Sequence, residues 1–263
     1  MNAGRQDRLR YAVNAVCSEI EARRPEQPCS PTPLSEEELW WELTACILGS
    51  TVRYEQAFSA LSRLQKANLA PWHTRTQDYH ILLQEELSRK GPGPYGNYPF
   101  ARVRASYIAK TARRLYEDGP GLTELIRAAC SPRKTRETLV RTIVGIGPKQ
   151  ASLFLRNAGF RNDFAVLDTH VLEFMYHVGL LDSRIRTVST LQAYERLEDR
   201  FKDDAEANGF GVGDYDVAVW VVMRVFKGER HNEPCNLGLG RHRLDSDGCL
   251  GQGRRDQAVP DFH

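Results

Sequence analysis

From Leu139 to His170 the chain reads LVRTIVGIGPKQASLFLRNAGFRNDFAVLDTH, and this stretch decides the fold. Leu139, Val140 and Ile143 recur at helical spacing, which predicts a helix over Arg133 to Ile143. Gly145-Ile146-Gly147 then interrupts it. Glycine tolerates left-handed backbone angles and keeps a turn bare of side chains. Pro148 suits the first position of a second helix, because the amide it lacks would have had no partner there. Ala151, Phe154, Leu155 and Ala158 give that helix a buried stripe, and Gly159 ends it. The result is a helix-hairpin-helix over residues 134 to 158.

The amides of Gly145, Gly147, Gln150 and Ala151 are expected to face outward together. Unpaired amides at a helix start bind anions, and phosphate is the usual guest. Such contacts grip a nucleic-acid backbone without reading its sequence. A glycine-rich link between two structural helices is the competing reading of the turn alone. Lys149 sits in the first turn of the second helix, where the positive end of the macrodipole disfavours an ammonium. A neutral amine there has the property a Schiff-base nucleophile needs; a solvated lysine touching a phosphate is the plainer alternative. Asp168 follows nineteen residues later, after the apolar run Phe164 to Leu167. Its plain role is N-cap of a helix over Thr169 to Val178.

Together these features resemble the helix-hairpin-helix DNA glycosylase superfamily. Its members carry a Gly-x-Gly hairpin, a lysine two positions after the second glycine, and an aspartate at a similar distance downstream. Val166-Leu167-Asp168-Thr169-His170 is similar to the endonuclease III form of the aspartate motif. Gln150 to Asn157 is closer to the 8-oxoguanine DNA glycosylase/AP lyase branch, type 2 members above all. Tyr98 to Ala105 resembles that branch's Phe-Pro-x-x-Arg-Ala segment with its first residues permuted. Leu39 to Leu43 through Ile47 to Ser50 is a third likeness. The resemblance covers residues 35 to 226.

The resemblance implies an all-α fold of two lobes with the hairpin at the cleft between them. One lobe is a six-helix barrel, here residues 51 to 164. The other joins both chain ends, here 1 to 50 and 165 to 227, leaving 228 to 263 as an extended tail. It implies a bifunctional glycosylase/lyase of base-excision repair. A damaged nucleotide is flipped out of the duplex, Lys149 attacks the sugar, Asp168 stabilises the growing positive charge, and β-elimination cuts the strand. Where several relatives place a glutamine or asparagine as a wedge in the vacated stack, this chain has Ser50 or Thr51. In relatives, hairpin carbonyls often bind a cation; the matching positions are Arg141, Ile143 and Ile146. No cofactor is required. Branch resemblance favours 8-oxoguanine as substrate; oxidised pyrimidines stay open, and so does a non-catalytic DNA-binding module. The expected partner is double-stranded DNA with a damaged base or an abasic site. The expected state is a monomer, cytoplasmic and nucleoid-associated, or nuclear in a eukaryote.

Composition agrees with this reading. The 263 residues suffice for a full core. No apolar run approaches the roughly eighteen residues of a membrane span, and the N-terminus has no apolar signal core. The six cysteines are scattered. Cys17, Cys46 and Cys130 fall in helical patterns and read as reduced core residues. Endonuclease III relatives often carry four closely spaced cysteines for an iron–sulfur cluster after the catalytic domain. Only Cys235 and Cys249 lie there, so no cluster is expected. Cys235, His242 and Cys249 match no compact zinc spacing. The net charge is only +2, but residues 127 to 161 carry eight basic groups against Glu137. Residues 101 to 114 add Arg102, Arg104, Lys110, Arg113 and Arg114 with no acid. Basic charge gathered near the hairpin is the footprint of a polyanion, although an ordinary solvated helix face explains 101 to 114 equally well.

Elsewhere the pattern is helical. Leu9, Val13, Val16 and Ile20 share a face, Pro25 to Pro33 reads as a connector, and Ser35 with Glu38 forms a capping box. Helices are expected over 54 to 69, 76 to 90, 102 to 116, 121 to 130, about 188 to 207, and from a cap at Asp214 to Phe226. Trp40 and Trp41 read as packing residues. Gly91 to Pro99 reads as a rigid turn, and His170 as a packing residue beside Asp168.

Overall fold

A computed structural model describes residues 3–23, 34–73, 76–91, 93–160 and 164–226. Eleven α-helices and no strand occupy these residues. In chain order they are α1 (Ala3–Ala22), α2 (Glu36–Leu48), α3 (Tyr54–Lys66), α4 (Thr76–Ser88), α5 (Ala101–Tyr116) and α6 (Leu122–Ala128). Then follow α7 (Pro132–Thr142), α8 (Pro148–Asn157), α9 (Thr169–His177), α10 (Leu191–Ala207) and α11 (Val212–Phe226). All eleven lie in one compact unit spanning Met1–Asn232. None is long and apolar enough to cross a membrane.

The apolar stripes meet in two cores. Trp40, Leu43, Ile47, Leu64, Leu83, Ile108, Leu115 and Phe154 belong to the first, built from α2 to α8 and closed by Phe164. Val13, Cys17, Val171, Phe174, Tyr194, Phe201 and Tyr215 belong to the second, built from α1 and α9 to α11. The chain passes from one core to the other between Phe164 and Ala165.

The second core thus joins α1 to the last three described helices, but α2 is not in it. This departs from the expected boundary at residue 50. The reason is a stripe of Leu39, Trp40, Leu43 and Ile47 that has its complement in the first core. Trp40 meets Tyr116 edge-on at 5.6 Å. The Glu36 carboxylate accepts the Leu122 and Thr123 amides at 2.7 and 2.9 Å, satisfying the start of α6.

Local signals act as caps. The Ser35 hydroxyl accepts the Glu38 amide at 3.2 Å while the Glu38 carboxylate accepts the Ser35 amide at 2.8 Å. Two expectations fail. Cys130 lies outside α6 and is exposed, because the neighbouring Ser131 is taken up as cap of α7, accepting the Lys134 amide at 3.3 Å. Asp214 does not cap α11; the helix starts at Val212 and Asp214 is buried in its first turn. The connector at 25 to 33 and the tail lie outside the described residues.

Candidate active site

The hairpin is docked on α5. The Val144 amide donates to the buried Thr111 hydroxyl at 3.1 Å, and Arg114 donates to the Thr142 carbonyl at 3.0 Å. Gly145 has φ +85, and a Cβ there would lie 2.0 Å from Tyr107 Cδ2. Gly147 differs: its φ is −111 and the nearest atom to a Cβ would be Gln150 Oε1 at 3.8 Å. Gly145 is therefore bare because α5 presses on it, and Gly147 is bare toward open space.

Pro148 opens α8 and Lys149 follows, half-buried. The Ala151 amide does not face outward as expected. It donates to the Gly147 carbonyl at 3.0 Å, and the residue is fully buried. The amides of Lys149 and Gln150 are left at the open end of the helix. The Gln150 side chain reaches the Ser50 hydroxyl at 3.3 Å, and Arg104 donates to the Ser50 carbonyl at 3.0 Å. The turn Ser50-Thr51 is thereby tied to the hairpin's mouth. Thr51 takes the left-handed angle φ +68 and is exposed. Beside this turn Phe100 is 40% exposed, with the Arg104 guanidinium 6.0 Å from its ring centroid. Sequence reasoning did not single out Phe100; a lone phenylalanine in a turn carries no signal of exposure.

Asp168 is delivered by the crossing segment Phe164 to Leu167, which is held by three side chains of α10 and α11. The Glu198 carboxylate accepts the Ala165 amide at 3.0 Å. Asp216 accepts the Val166 amide at 3.2 Å. The Tyr194 hydroxyl accepts the Leu167 amide and donates to the Ala165 carbonyl, both at 2.9 Å. The Asp168 carboxylate then caps α9. Its Oδ1 accepts the His170 and Val171 amides at 2.8 and 2.9 Å, and Oδ2 takes no part in the cap. The His170 ring packs edge-on against Trp220.

Electrostatics tie the elements together. Burial pushes the Cys46 thiol up; Glu42 adds to this, while Arg156 and Lys149 oppose it. Burial raises the Asp216 carboxyl to about 7, against the pull of Arg156 and with the repulsion of Asp168. Several basic residues counted toward a polyanion footprint serve the interior instead. Arg136 is fully buried against Glu198, Arg156 pairs with Asp216, and Arg104 is buried. Arg102, Lys110 and Arg141 remain exposed. Among the described residues no group of three His, Cys, Asp or Glu side chains forms a metal site, and Cys235, His242 and Cys249 lie outside them.

An amine in the first turn of one helix and a carboxylate fixed as the cap of the next are the groups that attack on a sugar held by its phosphates needs. The family model for 8-oxoguanine DNA glycosylase matches residues 29–210. An 8-oxoguanine DNA glycosylase/AP lyase of Korarchaeum cryptofilum is 30% identical over 188 residues, covering 72% of this chain and 81% of that protein. Its counterpart in Methanocaldococcus jannaschii is 30% identical over 207 residues, covering 79% and 90%. The crystal structure of the 8-oxoguanine DNA glycosylase of Thermotoga maritima superposes with a TM-score of 0.57 at 26% identity, covering 85% of this chain and 89% of that one.

Proposed function

The chain belongs to the 8-oxoguanine DNA glycosylase family, and from that premise we propose that it excises 8-oxoguanine from duplex DNA and cleaves the strand at the resulting abasic site. The family favours this over oxidised pyrimidines and over a non-catalytic module. The observation that carries the assignment of roles is the fixed start of two helices: Lys149 lies in the first turn of α8, one residue after Pro148 opens it, and Asp168 caps α9 through Oδ1 alone.

The phosphate backbone lies on Gly147 and the amides of Lys149 and Gln150, where the helix start favours an anion. Unstacking the target costs a few kcal/mol, least for a damaged base. The Lys149 nitrogen attacks C1′ through its lone pair; the N-glycosidic bond breaks, and the base leaves with the bonding pair and takes up a proton. Asp168 Oδ2 stabilises the positive charge on the sugar in the transition state. Loss of a proton from the Lys149 nitrogen and opening of the sugar ring give an imine to C1′. Removal of a C2′ proton then expels the 3′ phosphate, and water frees the amine. Ser50 and Thr51, held at the mouth of the hairpin, stand where a wedge would enter the vacated stack, and the exposed ring of Phe100 flanks them. The enzyme works where the genome is, in the nucleoid or, in a eukaryote, the nucleus.

Borohydride trapping on an 8-oxoguanine duplex tests the assignment. The wild type should give a covalent adduct and Lys149→Gln none, with duplex affinity retained. An adduct from Lys149→Gln would assign the nucleophile elsewhere.

A further inference from the structure

Asp216 enters none of these steps, yet its position ties both halves of the site together. It lies on α11 in the second core and is 2% exposed. Its Oδ2 accepts from Arg156 Nη1 and from the Val166 amide at 3.2 Å. Arg156 stands in the last turn of α8, the helix that carries Lys149 in its first turn. Val166 stands two residues before Asp168, and the Asp168 amide donates to the Val166 carbonyl at 2.6 Å. One buried oxygen thus grips the helix that carries the amine and the segment that carries the carboxylate.

A buried ion pair is a poor device for stability alone, since an apolar pair of similar volume often serves as well. We propose that Asp216 is a positioning residue for base excision: its ionised carboxylate, through Arg156 and the Val166 amide, sets Asp168 against the helix bearing Lys149. The inference rests on the roles given to Lys149 and Asp168 above.

The groups facing Asp216 come from α8, the crossing segment, α9 and α10. Arg156 of α8 and the Val166 amide favour its charge, whereas burial, Asp168 at the start of α9 and Glu198 of α10 oppose it. Glu198 is itself held by Arg136 of α7 and by Lys202. Arg156 also faces Glu42 of α2. The balance puts the charge change at about 7. Below that, the carboxyl is neutral, Arg156 loses its counter-charge and the tether slackens. Misplacement by about 1 Å is enough to cost on the order of a hundredfold in rate.

The test is single-turnover base release and borohydride trapping by the full chain on an 8-oxoguanine duplex, from about pH 6 to about pH 9. Wild type should lose about tenfold in rate as pH falls through about 7. Asp216→Asn should be at least about tenfold slower at high pH, should lose the inflection near 7, and should keep the wild-type duplex affinity. A wild-type rate, or a slowed rate with the wild-type pH profile, would overturn the inference. If Asp216→Asn does not fold, Arg156→Gln/Asp216→Asn replaces it: a slow, flat profile with retained affinity supports the inference, and a wild-type profile overturns it. Failure of the wild type itself to form an adduct would instead strike the role of Lys149, and this inference with it.

Discussion

The Arg136 guanidinium donates from a single nitrogen, Nη1, to both carboxylate oxygens of Glu198 at 2.8 Å, and neither side chain touches solvent. The same nitrogen reaches the Ser152 hydroxyl at 3.0 Å, and the guanidinium lies 5.0 Å from the ring centroid of Phe164 and 5.2 Å from that of Tyr194. α7, α8 and α10 meet at this point. Removing Arg136 leaves the buried Glu198 carboxylate only Lys202 at 3.8 Å and the Ala165 amide; losing the close partner of a buried pair costs about 3–5 kcal/mol, whereas removing both for apolar groups is often neutral. Arg136→Met should therefore lower unfolding free energy by about that much in urea titration. Arg136→Met/Glu198→Leu should recover most of the loss, apart from the hydrogen bond from the Ala165 amide. A double variant no better than the single would contradict this account.

The two hairpin glycines should respond in opposite ways to alanine. At Gly145 a Cβ would sit 2.0 Å from the Tyr107 ring on a backbone at φ +85. Left-handed angles alone cost a non-glycine residue about 1–2 kcal/mol, and the clash adds to that. Gly145→Ala should lower the melting temperature markedly. At Gly147 the nearest atom would be 3.8 Å away, so Gly147→Ala should change stability by no more than about 0.5 kcal/mol. Its methyl group stands where the phosphate approaches, so duplex affinity should fall. Calorimetry and a fluorescence-anisotropy titration separate the two effects.

Asp168 has a structural duty and a proposed chemical one, and asparagine divides them. Asparagine caps helices as well as aspartate does, so Asp168→Asn should keep the melting temperature of the wild type. Losing a preorganised charge at the reacting sugar typically costs about 10²–10³ in rate, and base release should slow on that scale. Asp168→Ala should lose the same rate and also about 1 kcal/mol of stability as the cap disappears. A full-rate Asp168→Asn protein would reduce Asp168 to a cap.

Features made within one turn of chain were legible in the sequence. The Ser35–Glu38 box, the Gly145–Gly147 break and the Asp168 cap need only residues a few positions apart. So was the all-helical class, because the apolar period runs through nearly every segment. Features made between elements were not legible. The apolar stripe of α2 is equally compatible with either core, and only the complementary surface of α3 to α8 decides it. A count of basic residues cannot tell that Arg104, Arg136 and Arg156 turn inward, since their partners Ser50, Glu198 and Asp216 are far away in sequence. Asp216 escaped notice for the same reason: an aspartate in α11 gives no local sign that a distant arginine and a crossing segment converge on it.

The buried Asp216 also predicts a pH signature in stability, and its sign is fixed by the direction of the shift. Burial raises this carboxyl from 3.8 to about 7 in the folded chain. Between those values the folded state binds a proton that the unfolded state has released, so stability falls as pH rises. The contribution is complete below the ordinary carboxylate range and is gone once pH has risen through about 7. Asp216→Asn has no proton to lose. It leaves Arg156 without its carboxylate, but that cost is the same at every pH because the guanidinium stays charged. The stability of Asp216→Asn relative to wild type should therefore improve from about pH 5 up to about pH 7 and level off above it in parallel urea titrations. The other raised carboxyls, Glu42 and Glu198, are present in both proteins and largely cancel in the difference. A stability gap that stays constant with pH would mean that Asp216 is charged in the folded chain throughout this range.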